Sequence, residues 1–279
     1  VLDHNEPDEE EIAWVKEFQA KYPGRIKHII TNPVAPIGTS MNTCIREASG
    51  KYLTIWNVDD LRTPNSIELQ VRAIEEKNAD IAFGDYLIVR KFAPAGTIAT
   101  GKWVRHRDIP ESEYTRGMIF GPFLMFKKSL TERAGIFDEQ LVSGADFDLS
   151  VRLAFNGKAV VADGNLGYYL NEGKGASTRP NSKQKIDRTI IELRFGIYDK
   201  MDYDLVAEAS TYHLHHVIVD GVPHLIDLYV PNYRAVINQR LKEWKAHGVR
   251  RFITRKVFMT DKIKGKIKNA AKKVLRVGK

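Results

Sequence analysis

KYLTIWNVDDLRTPNSIE, residues 51–68, is the stretch on which the fold turns. YLTIW is short, apolar, β-branched and aromatic, the character of an interior strand. Two adjacent carboxylates, Asp59 and Asp60, follow it, and then Thr63 as cap and Pro64 as first helical residue open a helix. Like charges side by side repel, and neither is cheap to bury without a partner. Local sequence leaves three uses open for the pair: binding a cation, capping the helix or facing water.

Outward from this stretch, helix-like and strand-like segments alternate. PDEEEIAWVKEFQAKYPG reads as a helix with Pro7 near its start and acids in its first turn, where orphan amides favour negative charge. RIKHIIT (25–31) is a short strand, and SMNTCIREASG (40–50) a helix capped by Thr39 or Ser40 and stopped by Gly50. After the acids, Ile67, Val71 and Ile74 set one helical face, and ADIAFGDYLIVRKF is a strand with a bend expected near Gly84. Strand and helix at this spacing predict an α/β fold, a mostly parallel sheet layered with helices. Residues 92–117 read as a long connection. GPFLMFKKSLTERAG is a strand passing into a short helix, and ADFDLSVRLAFNG (145–157) a helix ended by Asn156-Gly157. KAVVAD and LGYYL are strand-like, a helix begins near Lys185, and HHVIVDGVPHLIDLYV is ambiguous between strand and helix. PNYRAVINQRLKEWKAHG closes this region as an amphipathic helix.

Composition narrows the classes. The net charge is +8, but residues 255–279 alone carry +9, so the remainder is close to neutral and no nucleic-acid partner is expected. One cysteine, Cys44, excludes a disulfide framework within the chain. No run approaches the roughly 20 apolar residues of a membrane span, and nothing at Val1 resembles a signal peptide, so a cytoplasmic setting is the default expectation. KIKGKIKNAAKKVLRVGK places Ile263, Ile267 and Val274 on one side among lysines. Such a helix suits an anionic membrane surface on the cytoplasmic face; a solvated tail or a partner-binding helix is the competing reading.

The long pattern NPVAPIGTSMNTCIREASGKYLTIWNVDDLRTPNSIE resembles the family 2 glycosyltransferases, through Asn42, Ala48, Gly50, Asp59, Asp60 and Pro64. Downstream, Gly135, Phe137, Asp138, Glu139, Asp146, Asp148, Leu149, Arg152 and Leu153 match that family's GxFDE and EDxDLxxRL segments in order. The resemblance covers residues 1–170 and implies a GT-A-type nucleotide-binding domain over 1–200, a mixed, mostly parallel sheet flanked by helices, whose first strand would precede Val1. A partly helical C-terminal extension (201–259) and the basic tail (260–279) follow. Asn57 stands where the family's first DxDD aspartate is usual, Met41 where an arginine is usual, and Ala145 where the glutamate of ED is usual.

What the resemblance implies is an inverting transfer of a sugar from a nucleotide-diphosphate donor, UDP-sugar first among them. The acceptor would be a hydroxyl of a glycan or lipid-linked molecule in surface polysaccharide or glycoconjugate synthesis. Asp59, helped by Asp60, would hold Mn²⁺ or Mg²⁺, and Asp146 would serve as general base. Asp3, His4, Asn42, Asp59, Asp60 and Arg179 would form the donor site. Near a helix start, Asp146 is expected to stay an ordinary carboxylate. Asp148 is expected to orient its neighbours, pairing with Arg152 at i,i+4. Residues 171–183, with Lys174 and Arg179, form either a lid over the donor or a plain solvated loop, and Tyr168 and Tyr169 are candidates for the acceptor path. The departures at Asn57 and Ala145 keep an alternative alive: a catalytically degenerate binding module for glycans or nucleotides.

Overall fold

The computed structural model describes residues 1–94, 99–173, 175, 182–198 and 202–246. The basic tail, Lys174 and Arg179 lie outside the described residues.

β1 (Leu2–Asn5) leads into α1 (Glu9–Lys21) and β2 (His28–Thr31), which pairs parallel to β1. The α1 start is a reciprocal cap: Glu11 N–H donates to Asp8 Oδ1 at 2.8 Å, and Asp8 N–H donates to Glu11 Oε2 at 3.0 Å. α2 (Ile37–Glu47) begins earlier than the sequence suggests, after Pro36. Gly38 permits this, since a Cβ there would lie 3.1 Å from Glu139 Cα.

β3 (Tyr52–Thr54) ends before the acidic turn, and β4 (Leu61–Arg62) follows it. α3 (Ser66–Glu76) lacks the expected Thr63 cap; the Thr63 hydroxyl donates instead to Asn165 O at 2.6 Å. Its buried face is Ser66, Gln70, Ala73 and Ile74, while Ile67 is 41% exposed. Gln70 decides this rotation: its Nε2 donates to Phe123 O at 2.6 Å and Ala82 O at 3.1 Å, and its Oε1 accepts from Arg62 at 2.9 Å. A fully paired amide is as suited to a core as an alkyl group.

β5 (Ile81–Val89) is the central strand, edged by β6 (Lys102–Val104). β7 (Met125–Lys127) and the short α4 (Thr131–Ala134) precede α5 (Ala145–Asn156) and the long β8 (Ala159–Leu170). β7 lies between β3 and β5, antiparallel to both, and β8 runs parallel to β5. β3, β5 and β8 therefore share one direction, as strands linked through helices should. The sheet is mixed, as expected, with helices on its flanks; β4, β6 and β7 run against their neighbours, so antiparallel pairings outnumber the parallel one between β5 and β8. The bend expected near Gly84 is a register shift there; a Cβ at Gly84 would stand 2.7 Å from Ala162 O.

α6 (Gln184–Phe195) packs on α7 (Tyr203–Ala209). The ambiguous stretch is a hairpin of β9 (His216–Val219) and β10 (Val222–Leu225). Its turn is Asp220-Gly221, both at positive φ (52° and 73°), the tight connection that an Asp-Gly pair favours. α8 (Tyr233–Ala246) ends the described chain. Ile81, Phe126, Leu149, Ile190, Val217 and Ile226 share one core, so strands, α5, α6 and the hairpin close around the same apolar interior. Among the described residues no helix is long and apolar enough to cross a membrane.

Candidate active site

The acidic turn divides the labour of its two carboxylates. Asp60 N–H donates to Asn57 O at 3.1 Å, and the Trp56 indole donates to Asp60 O at 3.1 Å, closing a tight loop beyond β3. The Asp60 carboxylate turns inward, 3% exposed. Its Oδ1 accepts from Leu170 N–H at 3.0 Å and its Oδ2 from Asn57 Nδ2 at 3.1 Å. Burial pushes the Asp60 pKa up, and those two donors oppose the push. Asp60 thereby ties the turn to the end of β8. Asn57 is a donor here, a role that an ionised aspartate could not fill.

Asp59, next in the chain, is exposed and opens onto a cavity of about 1190 Å³. It makes no hydrogen bond or ion pair with another described residue. Asp146, second residue of α5, lines the same cavity from the opposite segment of the sequence, with Trp56, Tyr86 and Tyr169. Asp146 Oδ1 accepts from Phe147 N–H at 2.8 Å, and Ser150 Oγ donates to the Asp146 carbonyl at 2.6 Å. Its side chain is exposed to the cavity, and the protein packed around it displaces part of its hydration. That desolvation raises its pKa above the ordinary carboxylate value, against the helix-end amides. The expected dominance of the helix start is thus reversed.

Behind Asp146 lies a buried ion cluster. Asp148 receives Arg152 Nε at 2.8 Å and Arg194 Nη1 at 2.5 Å, and Arg194 Nη2 also reaches Asp138 Oδ2 at 2.7 Å. Asp138, Asp148, Arg152 and Arg194 are all 0% exposed. Burial alone would raise the Asp148 pKa, but the two guanidiniums outweigh it and hold the carboxyl below its usual range. The remaining Arg194 donors end on Leu214 O at 2.9 Å and His216 O at 2.6 Å. The Arg152 pairing is as expected. Arg194 was missed, although Asp187, Ile190, Ile191 and Arg194 stand at the spacing of one buried helical face, a pattern that charges rarely enter unpaired.

The other expected donor residues are placed elsewhere. Asn42 is 0% exposed and wholly engaged, receiving Phe137 N–H at 2.8 Å and donating to Phe137 O and Glu139 Oε1, each at 3.0 Å. It staples α2 to the GxFDE segment and does not line the cavity. Asp3 accepts from Thr31 Oγ1 at 2.5 Å and from the Ser40 hydroxyl. His4 Nδ1 lies 3.3 Å from His28 Nε2, and its Nε2 lies 3.5 Å from Glu11. Neither Asp3 nor His4 lines the cavity. Tyr169 does, while Tyr168 is paired with Leu61 and Leu87 within the sheet.

Among the described residues no cluster of three or more His, Cys, Asp or Glu could enclose a metal. The donor set nevertheless fits a hard cation of the Mg²⁺ or Mn²⁺ kind, which commonly takes one or two carboxylates and fills its shell with water and substrate phosphate. Asp59 is a carboxylate left free for that use.

Residues 1–133 match the family model described as glycosyl transferase family 2. A relative from Methanocaldococcus jannaschii, named uncharacterized glycosyltransferase MJ1057, is 27% identical over 165 residues, 56% of this chain and 53% of its own. The chain thus spans about half the length of that relative. Among solved structures, S. aureus TarS 1-349 in complex with UDP-GlcNAc is 14% identical with a TM-score of 0.49, covering 87% of this chain and 70% of its own. The mannosyltransferase PcManGT from Pyrobaculum calidifontis, in complex with GDP-Man and Mn2+, is 13% identical with a TM-score of 0.45, covering 98% and 70%.

Proposed function

We propose that the chain is an inverting glycosyltransferase that moves a sugar from a nucleotide-diphosphate donor, a UDP-sugar first among candidates, to a hydroxyl of a glycan or lipid-linked acceptor. One observation carries the reading: Asp59 and Asp146, far apart in sequence, open onto one cavity, while their neighbours Asp60 and Asp148 are consumed by internal partners. The family match supports the reaction class.

Asp146 would take the acceptor hydroxyl's proton as that oxygen attacks the anomeric carbon. Attack from the face opposite the leaving diphosphate inverts the configuration. An upward-shifted carboxylate is a stronger base than a free one, provided it is still ionised at working pH. Asp59 would hold a divalent cation, which when bound supplies positive charge against the departing phosphates. Trp56, Tyr86 and Tyr169 give the cavity apolar ring surface on which a sugar or base can rest.

A thermal-shift panel of UDP, GDP, UDP-GlcNAc and GDP-mannose, each with and without Mn²⁺, tests the donor half of the reading. Stabilisation by one nucleotide class that needs the metal is the expected result; a ligand at 100 times its Kd adds about 2.7 kcal/mol. No shift with any nucleotide sugar, in either condition, would sink it.

A further inference from the structure

α5 begins without a capping side chain: its cap residue is Gly144. Help arrives from another helix. Asp187 of α6 points one oxygen, Oδ2, at three successive amides, those of Val142 (2.7 Å), Ser143 (2.5 Å) and Gly144 (3.0 Å). Consecutive N–H groups aimed at one point form a concave nest that ordinarily cradles an anion. Here the chain's own carboxylate fills it, 1% exposed. The fit is close, since a Cβ at Gly144 would come 2.9 Å from Asp187 Cβ. Gly144 O accepts the α5 hydrogen bond from Asp148 N–H at 3.1 Å, so the gripped segment and the first turn of α5 are one hydrogen-bonded unit. Val142, Ser143, Gly144 and Asp146 all line the cavity.

We infer that Asp187 is a positioning residue which, by gripping the three amides before α5, fixes the aim of the Asp146 carboxylate into the cavity. The inference rests on Asp146 being the base. A buried ion is an expensive way to hold a loop if only stability is at stake, since a neutral acceptor avoids the desolvation. A carboxylate holds three amides on one atom more tightly than a neutral oxygen would. The neutral shape-mimic, asparagine, can still present one oxygen to the nest.

The test compares D187A, D187N and a core control remote from the loop, I74A. Two readouts are taken: amide hydrogen exchange over residues 142–147, and turnover with the donor that the nucleotide panel identifies. D187A is expected to speed exchange at residues 142–144 by at least about 10-fold. It should cut kcat by about 100-fold while donor affinity is unchanged, the signature of a misaimed group. D187N should fall between D187A and the parent, and I74A should lose thermal stability without either effect. In a D146N background, D187A should cost no further turnover, because its target is already gone. Unchanged exchange at 142–144 in D187A, or full kcat in D187A beside an inactive D146N, would overturn this inference alone. Full transfer by D146N would overturn the assignment of the base, and the inference with it.

Discussion

Arg194 Nη1 donates to Asp148 Oδ1 at 2.5 Å, joining α6 to α5 in a place that water does not reach. Arg194→Met removes one cation and leaves Asp138 and Asp148 short of charge, so the loss should be about 3–5 kcal/mol, read by urea unfolding. The sign of the pH effect follows from the depressed Asp148 pKa. Its stabilisation is complete above the unfolded carboxylate range and is lost as pH falls through the lower folded value. The variant should therefore unfold at a higher pH than the parent during acid titration.

Asp146→Asn should lower transfer by about 10²–10⁴-fold while donor binding, read by calorimetry, is retained. In the parent, turnover should fall as pH is lowered, along a limb displaced upward from that of an ordinary aspartate. A carboxyl whose folded pKa is raised costs stability from the unfolded value upward, and the cost is complete once pH exceeds the folded value, so the asparagine should be no less stable at neutral pH. Loss of stability in step with activity would count against the base assignment.

Asp59 and Asp60 should separate cleanly. Asp59→Ala removes an exposed side chain and should leave stability within about 0.5 kcal/mol, yet abolish the metal-dependent part of the donor shift. Asp60→Ala orphans the Leu170 amide and should cost about 1–3 kcal/mol in unfolding experiments.

Asn42→Ala strips the backbone of Phe137 of both its partners and should lower stability by about 1–3 kcal/mol. Nucleotide affinity, measured by calorimetry, should not change, because the amide does not face the cavity.

The long periodic elements were legible in the sequence, because each needs only local pattern. α5, α6, α8 and the strand with its bend at Gly84 came directly from hydrophobic spacing and terminators. The residues of the site divide differently. Asp59 and Asp146 are open to the cavity, but Asn42, Asp60, Asp3 and His4 have their polar atoms turned to protein partners. A motif marks which residues gather near a site and says little about which way each one faces. Sheet direction was legible only in part, since β7 enters between β3 and β5 through a reversal that no local pattern announces. The Asp187 grip was invisible for the same reason: its three partners are backbone amides, which leave no trace in residue identity.

The Leu214 and His216 carbonyls that complete the shell of Arg194 come from beyond α7. Ending the chain after residue 200 would thus leave the guanidinium its two carboxylates but strip it of the carbonyls that complete its shell, and uncover the apolar interior that the hairpin closes. Such a truncate should accumulate as insoluble material.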